Sequence, residues 1–263
     1  MTLDTTSSAA VATANTPAAM PEALSNVAVL PHAQVWPLSA ADLHTLNNIQ
    51  NRVLWLSTRM IHHANAIRPN PDKSKVGGHQ ASSASMVSIL TALYFSYLRA
   101  GDRVAVKPHA SPAYHAVQYL LGRLDGSYLT QLRAYGGLQA YPSRTKDPDP
   151  VDFSTGSVGL GAAAPAFAAL VERYLRQHFS GPPAGGLDED TEHRRRFVAI
   201  MGDAELDEGN IWEAVAEDHL RGLGDLMWVI DLNRQSLDRV IPGVRASQLE
   251  ALFRASDWNV LEV

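Results

Sequence analysis

The sequence predicts an α/β fold in which a parallel sheet is flanked by helices on both faces. Two segments, 197–201 and 226–230, are apolar at every position, whereas a strand with one solvated face alternates. A helix is predicted between them at 210–221, and this strand–helix–strand order favours parallel strands joined by right-handed crossovers. A further short strand is predicted at 102–107.

The other helices follow from apolar periodicity and from residues that begin or end a helix. Ser39 and Asp42 have the spacing of a capping serine and an acidic first turn, and Pro69 ends the periodic pattern that follows. The segment 78–98 is apolar on all sides, which predicts a buried helix in the core or at a subunit interface. Further helices are predicted at 113–121 and 162–178, and a strand is predicted to begin at 258–263.

The composition excludes several classes of protein. Of the 263 residues, 46% are hydrophobic, which is enough for a core and excludes wholesale disorder. The net charge of −5 argues against a broad electrostatic surface for nucleic acid, and the absence of Cys excludes disulfide scaffolds and thiolate zinc sites. No apolar run is long enough to span a membrane, and residues 1–20 lack the features of a secretory signal. A cytoplasmic location is therefore expected.

Two regions are predicted along the chain. Residues 1–37 are rich in small residues and prolines, and we expect a low-complexity, disordered arm. Residues 38–263 are expected to form one α/β module that is cut short at its C-terminus. Within it, the stretch 134–156 is rich in Gly, Pro and Asp, and an irregular stretch of that length is usually functional or mobile.

Polar residues follow the two apolar strands at the edge where parallel sheets bind ligands. Gly202 and Asp203 come directly after the first strand, while Asn233 and Gln235 follow the second. A carboxylate, an amide oxygen and a backbone carbonyl are ligands that suit Mg²⁺, with a diphosphate filling the remaining positions. The alternative is that these are two ordinary polar loops. Of the acidic run 203–208, only Asp203 is expected to be a direct ligand, and the rest is expected to be solvated.

Two histidines and a glycine-rich segment complete the candidate residues. His79 precedes a predicted helix and His109 follows a predicted strand, so either is placed to shuttle a proton or to be a solvated loop residue. The glycines of segment 156–161 permit close approach of a ligand or tight packing of a helix on a strand. This segment is neither a P-loop nor a dinucleotide fingerprint.

Taken together, these motifs resemble a known family over residues 45–263. The chain is similar to the diphosphate-binding N-terminal module of thiamine diphosphate enzymes, and most similar to the homodimeric pyruvate dehydrogenase E1 component and its transketolase-like relatives. The motifs occur in the family's order. They are Gly78-His-Gln-Ala-Ser, His109-Ala-Ser-Pro, Tyr141-Pro-Ser, Ser157-Val-Gly-Leu-Gly, Gly202-Asp-Ala-Glu-Leu-Asp-Glu and Asn233-Arg-Gln-Ser-Leu-Asp.

The resemblance implies a cofactor, thiamine diphosphate with Mg²⁺, and a role for each motif. His79 and His109 would be catalytic and would handle protons near the thiazolium and the substrate. Asp203, Asn233 and the backbone carbonyl of Gln235 would hold the metal. The cofactor-binding residues would be Gly156, Ser157 and Val158 along the aminopyrimidine, with Gly202, Asp203, Ala204, Glu205 and Asn233 around the diphosphate.

Three positions depart from the family pattern. Ala204 stands where Gly is usual and adds a methyl group beside the diphosphate. Asp231 stands where many relatives have Asn and adds negative charge near the metal. Lys107 stands where a polar neutral residue is common, which predicts either a preference for an anionic substrate or a solvated side chain.

The activity that the resemblance implies is oxidative decarboxylation of a 2-oxo acid such as pyruvate, with acyl transfer to a lipoyl-bearing acyltransferase. The alternatives are transketolase-type transfer of a two-carbon ketol from a ketose, and a non-catalytic fragment or association domain. The family's second module, which supplies a Glu to the aminopyrimidine, would lie beyond residue 263. We therefore expect a homo-oligomer that needs a complementary pyrimidine-binding module and is inactive without it.

Overall fold

The computed structural model describes residues 38–71, 76–179, 195–232 and 246–263. The arm predicted at 1–37, together with Asn233 and Gln235, lies outside these residues. Among the described helices, none is both long and apolar enough to cross a bilayer.

Three parallel strands form the sheet of the described residues: β1 (Arg103–Ala105), β2 (Phe197–Gly202) and β3 (Leu226–Asp231). Their order is β1-β2-β3, so β2 is central. Val104 is in register with Val198, and Gly202 is in register with Asp231. The prediction of parallel strands is confirmed, and all three strands end at the same edge of the sheet.

Helices surround this sheet. The described helices are α1 (Ala40–His62), α2 (Gln80–Ala84), α3 (Val87–Ala92), α4 (Ser111–Leu120), α5 (Leu160–His178), α6 (Gly209–Val215) and α7 (Ala246–Ala255). The predicted cap of α1 is present, because the Asp42 N–H donates to Ser39 Oγ at 3.1 Å and the Ser39 N–H donates to Asp42 Oδ2 at 3.0 Å.

The central strand contacts helices on both of its faces. Val198 and Ile200 pack in a cluster with residues of α1, α3 and α4. Phe197 and Ala199 point the other way, into clusters formed with residues of α5, α6 and α7. Because alternate side chains of a strand lie on opposite faces, these contacts confirm a sheet covered on both sides. Burial of one such aliphatic side chain stabilises the fold by roughly 1.5–3 kcal/mol.

The apolar segment 78–98 lies in the core of the chain. Met86 and Leu90 have no exposed surface and join the cluster that covers β2. The segment is not one continuous helix, since α2 and α3 are separated by a turn at Ser85 and Met86. The buried helix predicted from composition is therefore correct in its location and wrong in its continuity.

Three other expectations are corrected. The helix predicted at 210–221 ends at Val215, and a 3₁₀ turn follows at Asp218–Leu220, where Glu217 accepts a hydrogen bond from the His219 N–H. Strand β3 is only half-buried, because it is an edge strand among the described residues. The strand predicted at 258–263 is irregular, and its Trp258 packs on Trp228 instead. Helix α7 was not predicted.

Candidate functional site

The carboxyl ends of β2 and β3 meet at the edge where the polar residues were predicted. Gly202 pairs with Asp231, so Asp203 begins a 3₁₀ turn, Asp203–Asp207, directly beside the end of β3. Asn233 and Gln235 continue from this same strand end but lie outside the described residues. The structure therefore gives the surroundings of Asp203, and the two other predicted metal ligands remain a prediction.

The loop after β2 contains a glycine, Gly202, followed by an aspartate, Asp203, that is half-buried. A Cβ atom added at Gly202 would meet no atom of the described residues within 4 Å. The Ala204 N–H donates to Asp203 Oδ1 at 3.1 Å, so a diphosphate that took this amide would have to displace the carboxylate oxygen. Asp203 and Ala204 are both half-buried.

Glu205 is buried, contrary to the solvated loop expected for the acidic run. Its side chain is 5% exposed, and its Oε1 accepts a hydrogen bond from the Gly159 N–H at 3.0 Å. Burial raises the pKa of Glu205 to about 7, while the Gly159 amide acts in the opposite direction. Asp207 and Glu208 are exposed, as predicted. The Glu205 side chain thus links the loop after β2 to the glycine-rich segment.

The glycine-rich segment 156–161 lies against this loop at a second point. The Asn210 side chain donates to the Val158 carbonyl at 3.0 Å. Gly159 has φ of +81°, a conformation that favours glycine, and a Cβ atom there would force the end of the Asn210 side chain to move. Ser157 and Val158 are exposed and Gly156 is half-buried. The structure therefore brings the predicted aminopyrimidine segment to the predicted diphosphate loop.

The two candidate catalytic histidines lie in contact with each other. The rings of His79 and His109 are 4.8 Å apart between centroids and inclined at 67°. Both residues are exposed. The pKa of His109 is lowered, first because protein atoms displace water around its ring and then by the positive charges of His79, Lys107 and Arg133. A neutral His109 is able to accept a proton near pH 7.

Lys107 and Asp231, two of the residues that depart from the family pattern, form an ion pair. The Lys107 ammonium contacts Asp231 Oδ2, with the side chains 5% and 12% exposed. Ser85 Oγ donates to the same oxygen at 2.7 Å. A solvated Lys107 is therefore wrong, and its charge is directed at Asp231. Sequence reasoning identified both positions but had no signal that the two meet.

A second polar cluster, also missed from the sequence, is formed by a residue of α4 and the irregular stretch that follows it. It contains His115, Asp147 and Asp149, whose candidate ligand atoms lie within 4.8 Å of one another. His115 Nδ1 is 2.8 Å from Asp149 Oδ2, and its Nε2 is 3.3 Å from the Gln139 carbonyl oxygen. Both Asp147 oxygens already accept backbone N–H groups, from Gln139 and Ser143, whereas Asp149 Oδ1 is buried without a hydrogen-bond partner among the described residues. The cluster includes none of the predicted metal ligands.

The described residues at the sheet edge fit a magnesium-bound diphosphate. Asp203 supplies the type of oxygen ligand that Mg²⁺ prefers. No described residue fills the space beside Gly202, and the Gly159 N–H binds the Glu205 side chain of this loop. A bound Mg²⁺ would compensate the carboxylate of Asp203. The donor set and the open backbone are therefore compatible with the cofactor that the sequence implies.

Comparison with known proteins gives the family. The model for the transketolase thiamine diphosphate-binding domain matches residues 73–263. The pyruvate dehydrogenase E1 component of Mycobacterium tuberculosis is 32% identical over 224 residues, which is 80% of this chain and 23% of that protein. The E1 component of Escherichia coli is 29% identical over 238 residues, covering 86% of this chain and 25% of that protein. The chain thus spans about a quarter of the length of these relatives.

Solved structures show the same fold. Transketolase from Leishmania mexicana superimposes with a TM-score of 0.65 at 21% identity, covering 83% of this chain and 32% of that chain. Transketolase from Campylobacter jejuni gives a TM-score of 0.58, covering 80% of this chain and 32% of that chain. At this identity the likeness concerns the fold alone. The matched family model extends over most of the sequence, and the chain belongs to the transketolase family of thiamine diphosphate-binding domains.

Proposed function

We propose that the chain is the N-terminal thiamine diphosphate- and Mg²⁺-binding part of a 2-oxo acid dehydrogenase E1-like enzyme. The observation that carries the proposal is the meeting of three segments at one sheet edge. Gly202 and Asp203 lie beside the end of β3, and Glu205 binds the Gly159 amide of the glycine-rich segment. Similarity to pyruvate dehydrogenase E1 components supports the choice of a 2-oxo acid as substrate.

The proposal gives each part of the edge a task. Asp203, with Asn233 and the Gln235 carbonyl, would hold Mg²⁺ against the diphosphate. Gly156, Ser157 and Val158 would lie along the aminopyrimidine, and the Gly202–Glu205 backbone would approach the diphosphate. When bound, the cofactor supplies a carbon nucleophile and then stabilises the carbanion left by cleavage of the substrate.

His79 and His109 would handle protons at the substrate. Their exposed rings contact each other, so a substrate that reaches one ring also lies near the other. The lowered pKa of His109 keeps its ring neutral near pH 7 and able to accept a proton. The contact between the two rings favours this role over that of two separately solvated loop histidines.

Two other functions compete. Transfer of a two-carbon ketol from a ketose is compatible with the match to the transketolase thiamine diphosphate-binding domain. A non-catalytic association domain is compatible with a chain that spans about a quarter of its relatives.

The proposal includes a complementary pyrimidine-binding module, a homo-oligomer, a cytoplasmic location and a lipoyl-bearing acyltransferase as acyl acceptor.

Calorimetric titration of the full 263-residue chain with thiamine diphosphate and Mg²⁺ tests the proposal. Saturable binding that requires Mg²⁺ and is lost in Asp203→Ala is expected. Lys146→Gln, at an exposed loop position, is the matched control and should bind normally. Absence of binding, even with a separately expressed complementary module present, would favour the association domain.

With that module present, the reaction separates the two enzymatic functions. Release of CO₂ from pyruvate with reduction of an artificial electron acceptor supports the E1-like activity. Ketol transfer between sugar phosphates without CO₂ release supports the transketolase activity. The chain alone should turn over neither substrate, and appreciable turnover would contradict the need for a second module.

A further inference from the structure

Three elements that carry candidate site residues meet at one oxygen atom, Asp231 Oδ2. This atom lies at the end of β3 and contacts both Lys107 and Ser85. Lys107 directly precedes the turn that contains His109, and Ser85 caps the C-terminal end of α2, whose N-cap residue is His79. Asp231 therefore connects, through one hydrogen bond each, the two segments that bring the histidine rings together.

The pair crosses the end of the central strand. Lys107 lies two residues beyond β1, Asp231 is the last residue of β3, and β2 runs between these two strands. Gly202 is the register partner of Asp231. The Lys107 ammonium is also close enough to His109 and Glu205 to influence the ionisation of both. The positive charge of Lys107 thus acts on three residues of the candidate site, Asp231, His109 and Glu205.

Neither charge is stable at this place without the other. The ammonium group of a lysine whose side chain is 5% exposed loses most of its hydration, and a nearby carboxylate must compensate for the loss. Replacing one member by a neutral residue leaves an uncompensated charge, whereas replacing both leaves two amides of similar size that can hydrogen-bond to each other. The two departures from the family pattern therefore depend on each other physically.

We propose that Lys107 is a positioning residue, which holds Asp231 and through it fixes the His79 and His109 segments around the end of β2. This inference rests on the proposed function, since the site that it orders is the proposed cofactor site. Lys107 acts through its partner, and its charge does not serve to bind an anionic substrate.

A double-mutant cycle tests this inference in the full chain. The variants are Lys107→Gln, Asp231→Asn and the combination of both, with Lys146→Gln and Asp218→Asn as exposed controls. Affinity for thiamine diphosphate with Mg²⁺ is measured at a temperature at which circular dichroism shows every variant to be folded. Each single variant at the pair should bind at least tenfold more weakly, and the double variant should return to within about threefold of the original affinity.

A merely structural pair would lower the melting temperature of the single variants without changing affinity in the folded protein, and that result would overturn the proposal. A double variant that binds no better than the weaker single variant would also overturn it. If the unmodified chain fails to bind, the proposed function is contradicted, and the cycle is then measured from the imidazole NMR signals of His79 and His109. Separation of the two rings in each single variant, with contact restored in the double variant, would support positioning, whereas unchanged ring contact in the single variants would reject it.

Discussion

One buried ion pair and one buried histidine–carboxylate hydrogen bond hold different parts of this molecule, and their comparison separates what serves the site from what serves the fold. Lys107 and Asp231 pair at the ligand edge of the sheet and retain slight exposure, at 5% and 12%. His115 of α4 contacts Asp149 with no exposure of either side chain. The first contact joins two strand ends, whereas the second fastens an irregular segment to a helix. A buried polar contact is therefore not by itself a mark of function, and its neighbours decide its role.

The largest effect on stability is expected at the contact between α4 and Asp149. Asp149→Ala should destabilise the chain by about 3 kcal/mol, because His115 Nδ1 then lacks its hydrogen-bond partner in a fully buried place. The free energy of unfolding in urea measures the change. Affinity for the cofactor in the folded protein should stay within about twofold, and a large loss of affinity would show that this pair also orders the site.

A smaller loss of stability, about 2 kcal/mol, is expected for Lys107→Ala, because Asp231 retains some exposure and the hydrogen bond from Ser85. The comparison predicts the opposite pattern from Asp149→Ala, with a modest effect on unfolding and a large effect on cofactor affinity. Urea denaturation and calorimetry on the same preparations give both numbers. If the two variants show the same ratio of effects, the distinction between the pairs fails.

The glycine-rich segment allows a test of the close contact between Gly159 and Asn210. Gly159→Ala combines a positive φ with a collision against Asn210 and should cost about 2 kcal/mol. Gly222→Ala is the matched control, since Gly222 also has a positive φ, at +73°, but no atom within 4 Å of an added Cβ. It should cost about 1 kcal/mol. Equal costs would mean that the contact with Asn210 gives way without loss.

The smallest effect is expected in the titration of His109. Its pKa is lowered, so the unfolded chain takes up this proton more readily than the folded chain does. This group therefore lowers stability as the pH falls below about 6.5 and has no effect well above that value. An NMR titration should give a pKa for His109 below 6.5 that rises in Lys107→Gln. A value unchanged by that substitution would place the ammonium farther from the ring.

The sequence was informative where local pattern determines structure. The uniform apolar run of β2 identified the central strand, and the spacing of Ser39 and Asp42 identified the start of α1. Each of these features depends on residues close together in the chain. The ends of the predicted helices were less accurate, because the stop of α6 depends on a local cap at Glu217 that apolar periodicity does not register.

The polar contacts of the site could not be predicted in the same way. Lys107 and Asp231 are 124 positions apart, and only the parallel register of β1, β2 and β3 brings them together. Glu205 was assigned to a solvated loop because its neighbours in sequence are acidic. In the structure it is buried, and its carboxylate accepts a hydrogen bond from Gly159, which is distant in sequence. His115 gave no signal, since an isolated histidine in an apolar helix has no pattern of its own.

The position of the metal tests the central claim most directly. Crystals of the full chain grown with thiamine diphosphate and Mn²⁺, which shares the oxygen ligands of Mg²⁺, would reveal the ion by its anomalous scattering. We predict one strong peak within about 2.5 Å of an Asp203 carboxylate oxygen, beside the end of β3. A peak at His115, Asp147 and Asp149 instead, with the edge of the sheet empty, would contradict the assignment of the site.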